Sequence, residues 1–178
     1  CFQGIMQANL VIEDLEQRSA AKFGFSDAEF KNLKAQNRVL RAWFYLRLLD
    51  AFRNIPLAVS YYDTSKNSTG QVEPRKVYDF IESELKAALP ELTRKTSLGG
   101  NQAAQGQWTQ ASAAALLVRL YLNAKVYIGE DHYTECAQYA QDILDGKYGS
   151  YKVADRWDAA FDWDNQTSDE VIFAFPGS

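Results

Sequence analysis

The sequence predicts an all-α fold, in which helices joined by long loops stack as a helical-repeat array, with one short strand near the C-terminus. Apolar residues recur at helical spacing in five separate stretches. The stretch LRAWFYLRLLDAFRNIPL, residues 40–57, is apolar around nearly its whole circumference, whereas a helix with one buried side needs a single apolar stripe. We therefore expect this helix to lie inside the stack with neighbours on several sides, and Arg41 and Arg47 to reach outward to solvent.

The first two predicted helices have clear boundary signals except at the start. The opening segment, residues 1–16, shows helical spacing almost at once with no capping residue ahead of it. We therefore expect the sequence to begin in the middle of a helix. The second helix begins at Ser26, which can form a capping box, and continues to about Arg53. Asn54 tolerates the left-handed conformation that ends helices, and Pro56 cannot continue one.

Three more helices are predicted after a polar loop. The third begins at Pro74, a residue suited to the first helical turn, and ends near Pro90. Thr109 caps the fourth, whose sequence is QASAAALLVRLYLNAKVYI and whose alanine-rich start permits close approach of a neighbouring helix. Asp131 caps the fifth, which ends at Gly146. The expected inner face of the fifth helix consists of Tyr133, Ala137, Ala140 and Leu144.

The chain after the fifth helix is rich in aromatic and acidic residues. The run EVIFAF, residues 170–175, is strand-like. The acidic loop, residues 155–170, offers many carboxylate oxygens, which calcium prefers as ligands. Its spacing differs from an EF-hand, and it has no glycine at the turn. An ordinary solvated acidic loop and a calcium-holding loop therefore both remain open, and we expect no other metal or cofactor.

Composition and charge exclude several classes of protein. The chain is 47% hydrophobic and 24% charged, which is enough apolar content for a real core. Its formal net charge is -4, whereas nucleic acids and anionic membrane surfaces require a basic face. Cys1 and Cys136 share no metal-ligand spacing. His132, expected at the solvated surface, is the single histidine and has no nucleophile motif beside it, so we expect no enzyme.

Five blocks follow one another in an order that identifies a family resemblance. The first is FQGIMQANLVIEDL, similar to Y-x-x-I-x-x-A-N-x-x-I, and the second is LRAWFYLRLLDAFRNIPL, similar to R-A-x-x-Y-x-x-L-x-x-x-F-G-x-x-P-L with Arg53 in the glycine place. The third and fourth are VYDFIESELKAALPEL and TQASAAALLVRLYL. The fifth joins YTECAQYAQDILDGKYG to Trp157, Phe161 and EVIF. In this order the blocks resemble the SusD/RagB-like nutrient-binding proteins of Bacteroidetes outer membranes.

The resemblance implies both a fold and a cellular role. Residues 1–178 would form a single tetratricopeptide-like helical segment of a larger SusD-like domain. The protein would be a non-catalytic, surface-exposed outer-membrane lipoprotein that captures a glycan or peptide nutrient. It would deliver that nutrient to a SusC-like TonB-dependent transporter. Its lipid anchor would lie outside this segment, so that Cys1 is an internal residue.

Candidate carbohydrate-binding residues are loop aromatics beside polar groups. Sugars stack their apolar ring faces on flat aromatic side chains, while nearby amides and carboxylates bind the hydroxyl groups. Tyr61 and Tyr62 precede Asp63, Trp163 lies between two aspartates, and Trp108 follows the stretch NQAAQGQ. Each of these aromatics has an alternative role as a loop anchor that packs on the core.

Two functions therefore remain open. The first is glycan capture without catalysis, and the second is a helical-repeat protein–protein interaction scaffold without glycan binding. The exposed loop aromatics favour capture, because a scaffold would display its specificity along a concave helix face. A hydrolase is disfavoured by the missing nucleophile and base.

Overall fold

The computed structural model describes residues 1–99, 106–163 and 165–175. This part of the chain is mainly α-helical, which confirms the predicted fold class. Two short strands, β1 (Ile55–Pro56) and β2 (Gln71–Val72), form an antiparallel pair in which Ile55 faces Val72. The helices of the described ranges are α1 (Phe2–Glu16), α2 (Ala20–Phe23), α3 (Asp27–Phe52), α4 (Pro74–Ala88), α5 (Gln110–Leu122), α6 (Ala124–Ile128) and α7 (Tyr133–Leu144).

Consecutive long helices pack antiparallel to one another. Gly4 of α1 lies against the Phe44 ring of α3, while Glu16 at the other end of α1 pairs with Lys34 at 2.5 Å. Similar cross-contacts place α4 against α3, α5 against α4 and α7 against α5. A methyl group added at Gly4 would come within 2.4 Å of the Phe44 ring, so this glycine permits the close approach of α1 and α3. The result is the array of stacked helix pairs that the sequence predicts.

Helix α3 lies inside the stack, as expected from its apolar circumference. Tyr45 and Leu49 are fully buried, and among residues 40–49 Arg47 alone is exposed. The expectation that Arg41 reaches solvent is wrong. Its guanidinium is buried and donates to the Glu84 carboxylate of α4, because the neighbouring helices leave no path to water.

The two ends of α3 follow local backbone chemistry, with one difference from expectation. The capping box at Ser26 is confirmed, since the Glu29 N–H donates to Ser26 Oγ at 3.3 Å and the Ser26 N–H donates to Glu29 Oε2 at 2.9 Å. At the other end Arg53, and not Asn54, takes the positive φ, at 60°. The Asn54 N–H donates to the Phe52 carbonyl at 2.8 Å, which makes Arg53 the centre of a γ-turn.

The fourth and fifth predicted helices differ from expectation in detail. The fourth divides into α5 and α6 at Asn123, whose side chain donates to the Arg119 carbonyl at 2.9 Å. Helix α7 begins after His132 and not at an Asp131 cap, and no side chain caps it. Its expected inner face is also wrong, since Tyr133 and Leu144 are exposed. The face that packs on the core consists of Cys136, Tyr139 and Ile143.

The C-terminal segment does not form the expected strand. Residues 171–175 have no strand pairing. Their side chains dock on the helices instead. The Phe173 ring stacks on Trp108, with ring centres 3.8 Å apart, and the Phe175 ring meets Trp43 edge to face at 5.1 Å. This segment therefore covers part of the helix core.

Candidate functional site

The two adjacent tyrosines predicted as binding residues lie on the connection between β1 and β2. We call residues 57–70 the tyrosine loop. Its base is closed by the strand pair, and its tip carries Tyr61 and Tyr62, which are 41% and 56% exposed. The two rings meet edge to face, with centres 5.2 Å apart and planes at 86°. Two aromatic surfaces at right angles are thus presented to solvent side by side.

The carboxylate of Glu13, near the end of α1, holds the tip of the tyrosine loop. Glu13 Oε1 accepts from the Tyr61 N–H at 2.9 Å, and Oε2 accepts from the Tyr62 N–H at 3.0 Å. The Tyr62 hydroxyl donates to Asp14 Oδ1 at 2.9 Å. This bond raises the pKa of Tyr62, because losing the proton would break it beside a carboxylate. Both tyrosines are therefore tied to the same end of α1.

The pKa of Glu13 reflects the same contacts. Partial desolvation acts to raise the pKa, but hydrogen bonds from Ser60, Tyr62 and Tyr61, together with the charge of Lys66, outweigh it. The net result is a pKa below the ordinary value of 4.5. Glu13 is therefore ionised at neutral pH, when it can accept both backbone hydrogen bonds.

The tyrosine loop is also braced from within. Asn67 Oδ1 accepts from the Val59 N–H at 2.7 Å and from the Ser60 N–H at 2.9 Å, and Asn67 Nδ2 donates to the Ser60 carbonyl. Asp63 accepts from the Ser65 N–H at 3.2 Å, which turns the chain after the tyrosines. Because its backbone groups are paired on both sides, the loop presents the rings in one geometry.

Sequence reasoning missed the residues that hold this loop. Glu13 and Asp14 lie in the first motif block, where the helical spacing assigns them only to the polar side of the helix. Their contacts join positions 48 and 49 residues apart in the chain. Nothing in a single sequence pairs such distant positions, since helical periodicity shows only which side of α1 is polar.

Trp163 lies in a different, strongly exposed segment. Its side chain is 95% exposed, and Trp157 and Phe161 nearby are almost as open. The sequence interpretation used Trp157 and Phe161 only as family motif residues and did not consider them for binding. Beside them is a polar hollow of about 280 Å³. Its lining includes Lys152, Asp155, Asp162, Asn165, Ser168 and Glu170.

Among the described residues of the acidic loop 155–170, the carboxylates of Asp155, Asp158, Asp162 and Asp169 are paired with basic side chains. Arg156 donates to both oxygens of Asp158 at 2.9 Å and lies 3.6 Å from Asp162. Asp164, which sequence reasoning placed beside Trp163, lies outside the described residues. Within the ranges that the structure describes, no group of three or more His, Cys, Asp or Glu side chains could hold a metal ion. These pairings favour the solvated-loop interpretation over the calcium one.

Trp108, the remaining candidate, is a core residue. Its side chain is 5% exposed and its ring stacks on Phe173 with planes at 5°. Gln36 holds its backbone on both sides, since the Trp108 N–H donates to Gln36 Oε1 and Gln36 Nε2 donates to the Trp108 carbonyl. No ring face is left for a sugar. Trp108 thus takes the anchoring role that was the alternative for each aromatic.

The structure does not bring the candidates together in one place. Tyr61 and Tyr62 contact each other and α1, whereas Trp163 has no ring contact with any described residue. His132 is half-buried and not solvated as expected. Its ring lies near those of Tyr78 and Tyr121, and its Nδ1 is 3.2 Å from Glu135. This position makes His132 part of the α5–α7 packing.

These features define a class: a protein of antiparallel helix pairs that presents exposed aromatic rings on braced loops. No helix among the described residues has the length and apolar character needed to span a bilayer. The sequence model of a SusD-like family, described as starch-binding and associating with the outer membrane, matches residues 1–122. The chain belongs to this SusD-like family.

Individual relatives support the same placement. The starch-binding protein SusD of Bacteroides thetaiotaomicron is 27% identical over 168 residues, which cover 94% of this chain and 27% of that protein. The structure of a laminarin-binding SusD-like protein matches with a TM-score of 0.79 and 26% identity, over 97% of this chain and 35% of that one. A surface glycan-binding protein A from Bacteroides uniformis matches with a TM-score of 0.77 at 20% identity, over 97% of this chain and 36% of that one, which shows the shared fold. This chain thus spans well under half the length of these relatives.

Proposed function

We propose that this chain is part of a non-catalytic, cell-surface protein that captures glycans at the outer membrane. The support is the family membership, together with relatives that are named for binding starch and laminarin. In this proposal a lipid anchor outside this segment holds the protein to the membrane. The captured glycan, or a peptide in its place, passes to a SusC-like TonB-dependent transporter.

The observation that carries the proposal is the braced tyrosine pair. A sugar ring can stack its apolar face on Tyr62, whose own hydroxyl is fixed by Asp14. The carboxylate of Asp63 and the ammonium of Lys66, which are 3.6 Å apart at the same tip, can bind sugar hydroxyl groups. A surface that combines a flat apolar face with a few placed polar groups suits a carbohydrate. Because the loop is already ordered, binding costs little conformational entropy.

Trp163 is the second element of the proposal. Its indole is almost wholly exposed, and the polar hollow beside it offers amide, hydroxyl and carboxylate groups. A long oligosaccharide could contact the tyrosine pair and Trp163 as separate points of attachment. Two weak attachments on one chain raise the overall affinity through effective concentration.

The test is affinity electrophoresis of the full-length protein in gels that contain starch or laminarin. We expect retardation in the wild-type protein and an approximately tenfold weaker interaction in Tyr62→Ala, which corresponds to about 1.4 kcal/mol of lost contact. Trp163→Ala should also weaken it. Tyr133→Ala is the matched control, because Tyr133 is 51% exposed but lies on α7 away from the tyrosine loop.

Two outcomes would overturn the proposal. One is a wild-type protein that no polysaccharide retards but that binds a folded protein partner tightly, which would indicate the scaffold function. The other is retardation that Tyr62→Ala and Trp163→Ala leave equal to that of Tyr133→Ala. In that case glycan binding would belong to other surfaces.

A further inference from the structure

One buried hydroxyl holds both backbone groups of a single residue in the tyrosine loop. The Ala58 N–H donates to the Tyr45 oxygen at 2.7 Å, and the Tyr45 hydroxyl donates to the Ala58 carbonyl at 2.9 Å. Tyr45 is fully buried in the C-terminal half of α3, and its ring meets Phe80 edge to face at 5.3 Å. A side chain of the helix core therefore fixes the backbone of Ala58, three residues before Tyr61.

A buried polar cluster supports this contact from the side. Asn9 Nδ2 also donates to the Ala58 carbonyl, at 3.0 Å, and Asn9 Oδ1 accepts from Arg41 at 2.6 Å. The Arg41 guanidinium is in turn paired with Glu84 and lies 5.1 Å from the Phe80 ring centre. Since each buried polar group here has a partner, the cluster is rigid, and it fixes where the Ala58 carbonyl must lie.

The two attachments of the loop share one helix face. Asn9 and Glu13 lie one turn apart on α1, so they point to the same side. Asn9 and Tyr45 hold residue 58, whereas Glu13 holds residues 61 and 62. Burial raises the pKa of Tyr45 to about 12, so its hydroxyl keeps the proton that it donates to Ala58 throughout the neutral range.

We propose that Tyr45 is a positioning residue for ligand capture, whose buried hydroxyl fixes the backbone that presents Tyr61 and Tyr62. Tyr45 contacts no ligand itself and acts through Ala58. This inference rests on the proposed function at the tyrosine pair. It adds that a buried side chain of the helix stack contributes to the affinity of the site for its ligand.

The test compares two tyrosine hydroxyls of the same core. Tyr45→Phe removes the two bonds between Tyr45 and Ala58, and it leaves both the aromatic ring and the Asn9 bond to Ala58 in place. Tyr78→Phe is the matched control, because Tyr78 is equally buried and its hydroxyl has no hydrogen-bond partner within the described part of the chain. Both variants are made in the full-length protein and measured by thermal unfolding, affinity electrophoresis in starch and laminarin gels, and amide hydrogen exchange.

We expect Tyr45→Phe to weaken retardation severalfold and to speed amide exchange at residues 58–62 at least tenfold, with exchange elsewhere unchanged. Tyr78→Phe should match the wild type in both measurements. The exchange measurement needs no ligand, so it separates the two proposals. A purely structural role would instead lower the melting temperature and speed exchange throughout α3 and α4.

The opposing results are distinct. If the wild type binds glycan and Tyr45→Phe behaves like Tyr78→Phe, the positioning role is wrong and the proposed function stands. If exchange at residues 58–62 rises but binding is unchanged, Tyr45 orders the loop without serving capture, and the proposal is again wrong. A Tyr45→Phe variant that fails to fold would show that the hydroxyl serves the fold as a whole, and the positioning role would again be wrong. A wild type without glycan affinity overturns the proposed function and, with it, the positioning role.

Discussion

At the scale of single residues, Arg53 holds a backbone conformation that favours glycine. It has φ 60° and ψ -72°, and it is the one non-glycine residue with positive φ in the described ranges. A γ-turn of this sign is strained for a residue that carries a Cβ. The sequence marked this position, because Arg53 stands where the family pattern has glycine. The strain itself could not be predicted, since Asn54 is the more usual residue for a positive φ.

We expect Arg53→Gly to raise the free energy of unfolding by about 1 kcal/mol, because glycine adopts this conformation without a steric cost. The side-chain contact that would be lost is weak, a 3.5 Å approach to the Tyr127 carbonyl. Denaturant unfolding of the protein provides the measurement. Arg47→Gly, an exposed site within α3, is the control and should lower stability by about 1 kcal/mol. Equal losses in both variants would contradict the assignment of strain to Arg53.

At the scale of elements, helical periodicity predicted where helices lie better than which side they bury. The expected face of α7 and the face that packs both have helical spacing, so the sequence could not choose between them. The buried side of α7 is determined by the packing of Tyr139, whose ring centre lies 5.8 Å from that of Tyr121 in α5 and 6.2 Å from that of Tyr148. Similarly, the run at 170–175 has strand-like composition but meets aromatic rings in place of a strand edge.

Helices α3 and α4 are joined by the buried Arg41–Glu84 pair, and we expect Glu84→Leu to lower stability by about 3 kcal/mol or more. The reason is that Arg41 would keep its charge in a buried place without its carboxylate. The double variant Arg41→Met, Glu84→Leu removes the charge and the partner together, so it should be more stable than Glu84→Leu alone. Denaturant unfolding of the single and double variants measures the difference. A double variant less stable than the single one would show that Arg41 is held mainly by Asn9.

At the scale of the whole molecule, the ionised carboxylates make stability depend on pH. The pKa values of Glu13, Glu82 and Asp142 are all lowered in the folded state. For Glu82 burial acts to raise the pKa, but hydrogen bonds from Lys86 and Tyr121 outweigh it, so the net value lies below 4.5. A group with a lowered folded pKa stabilises the fold above its unfolded pKa, and this contribution is lost as the pH falls through the folded value.

We therefore expect the free energy of unfolding to be level near neutral pH and to fall as the pH drops below about 4.5. Unfolding titrations at a series of pH values provide the measurement. Glu82→Gln should be less stable than the wild type at neutral pH, and its stability should change less on acidification. Asp131→Asn, at an exposed position before α7, serves as the surface control. Stability that rises on acidification would contradict the sign of these pKa shifts.

The candidate site shows which features of the molecule can be predicted from a single sequence. Exposure of Tyr61, Tyr62 and Trp163 follows from their polar neighbours, and the structure leaves all three rings open. Burial of Trp108 depends on Phe173, which lies far along the chain. The anchoring of the tyrosine loop by Glu13 likewise depends on a contact between residues that are far apart in the chain. Local composition alone does not decide exposure, because Trp108 also follows polar residues and is nevertheless buried by a long-range partner.

The stack of Phe173 on Trp108 also bears on the order in which the protein folds. Along the chain, helices α5 to α7 lie between Trp108 and Phe173. The contact between the two rings therefore closes a long segment of the chain. Closing such a segment costs entropy that is recovered only when the intervening helices are already paired. We therefore expect the Phe173–Trp108 contact to form late in folding, after the helices between the two rings have paired.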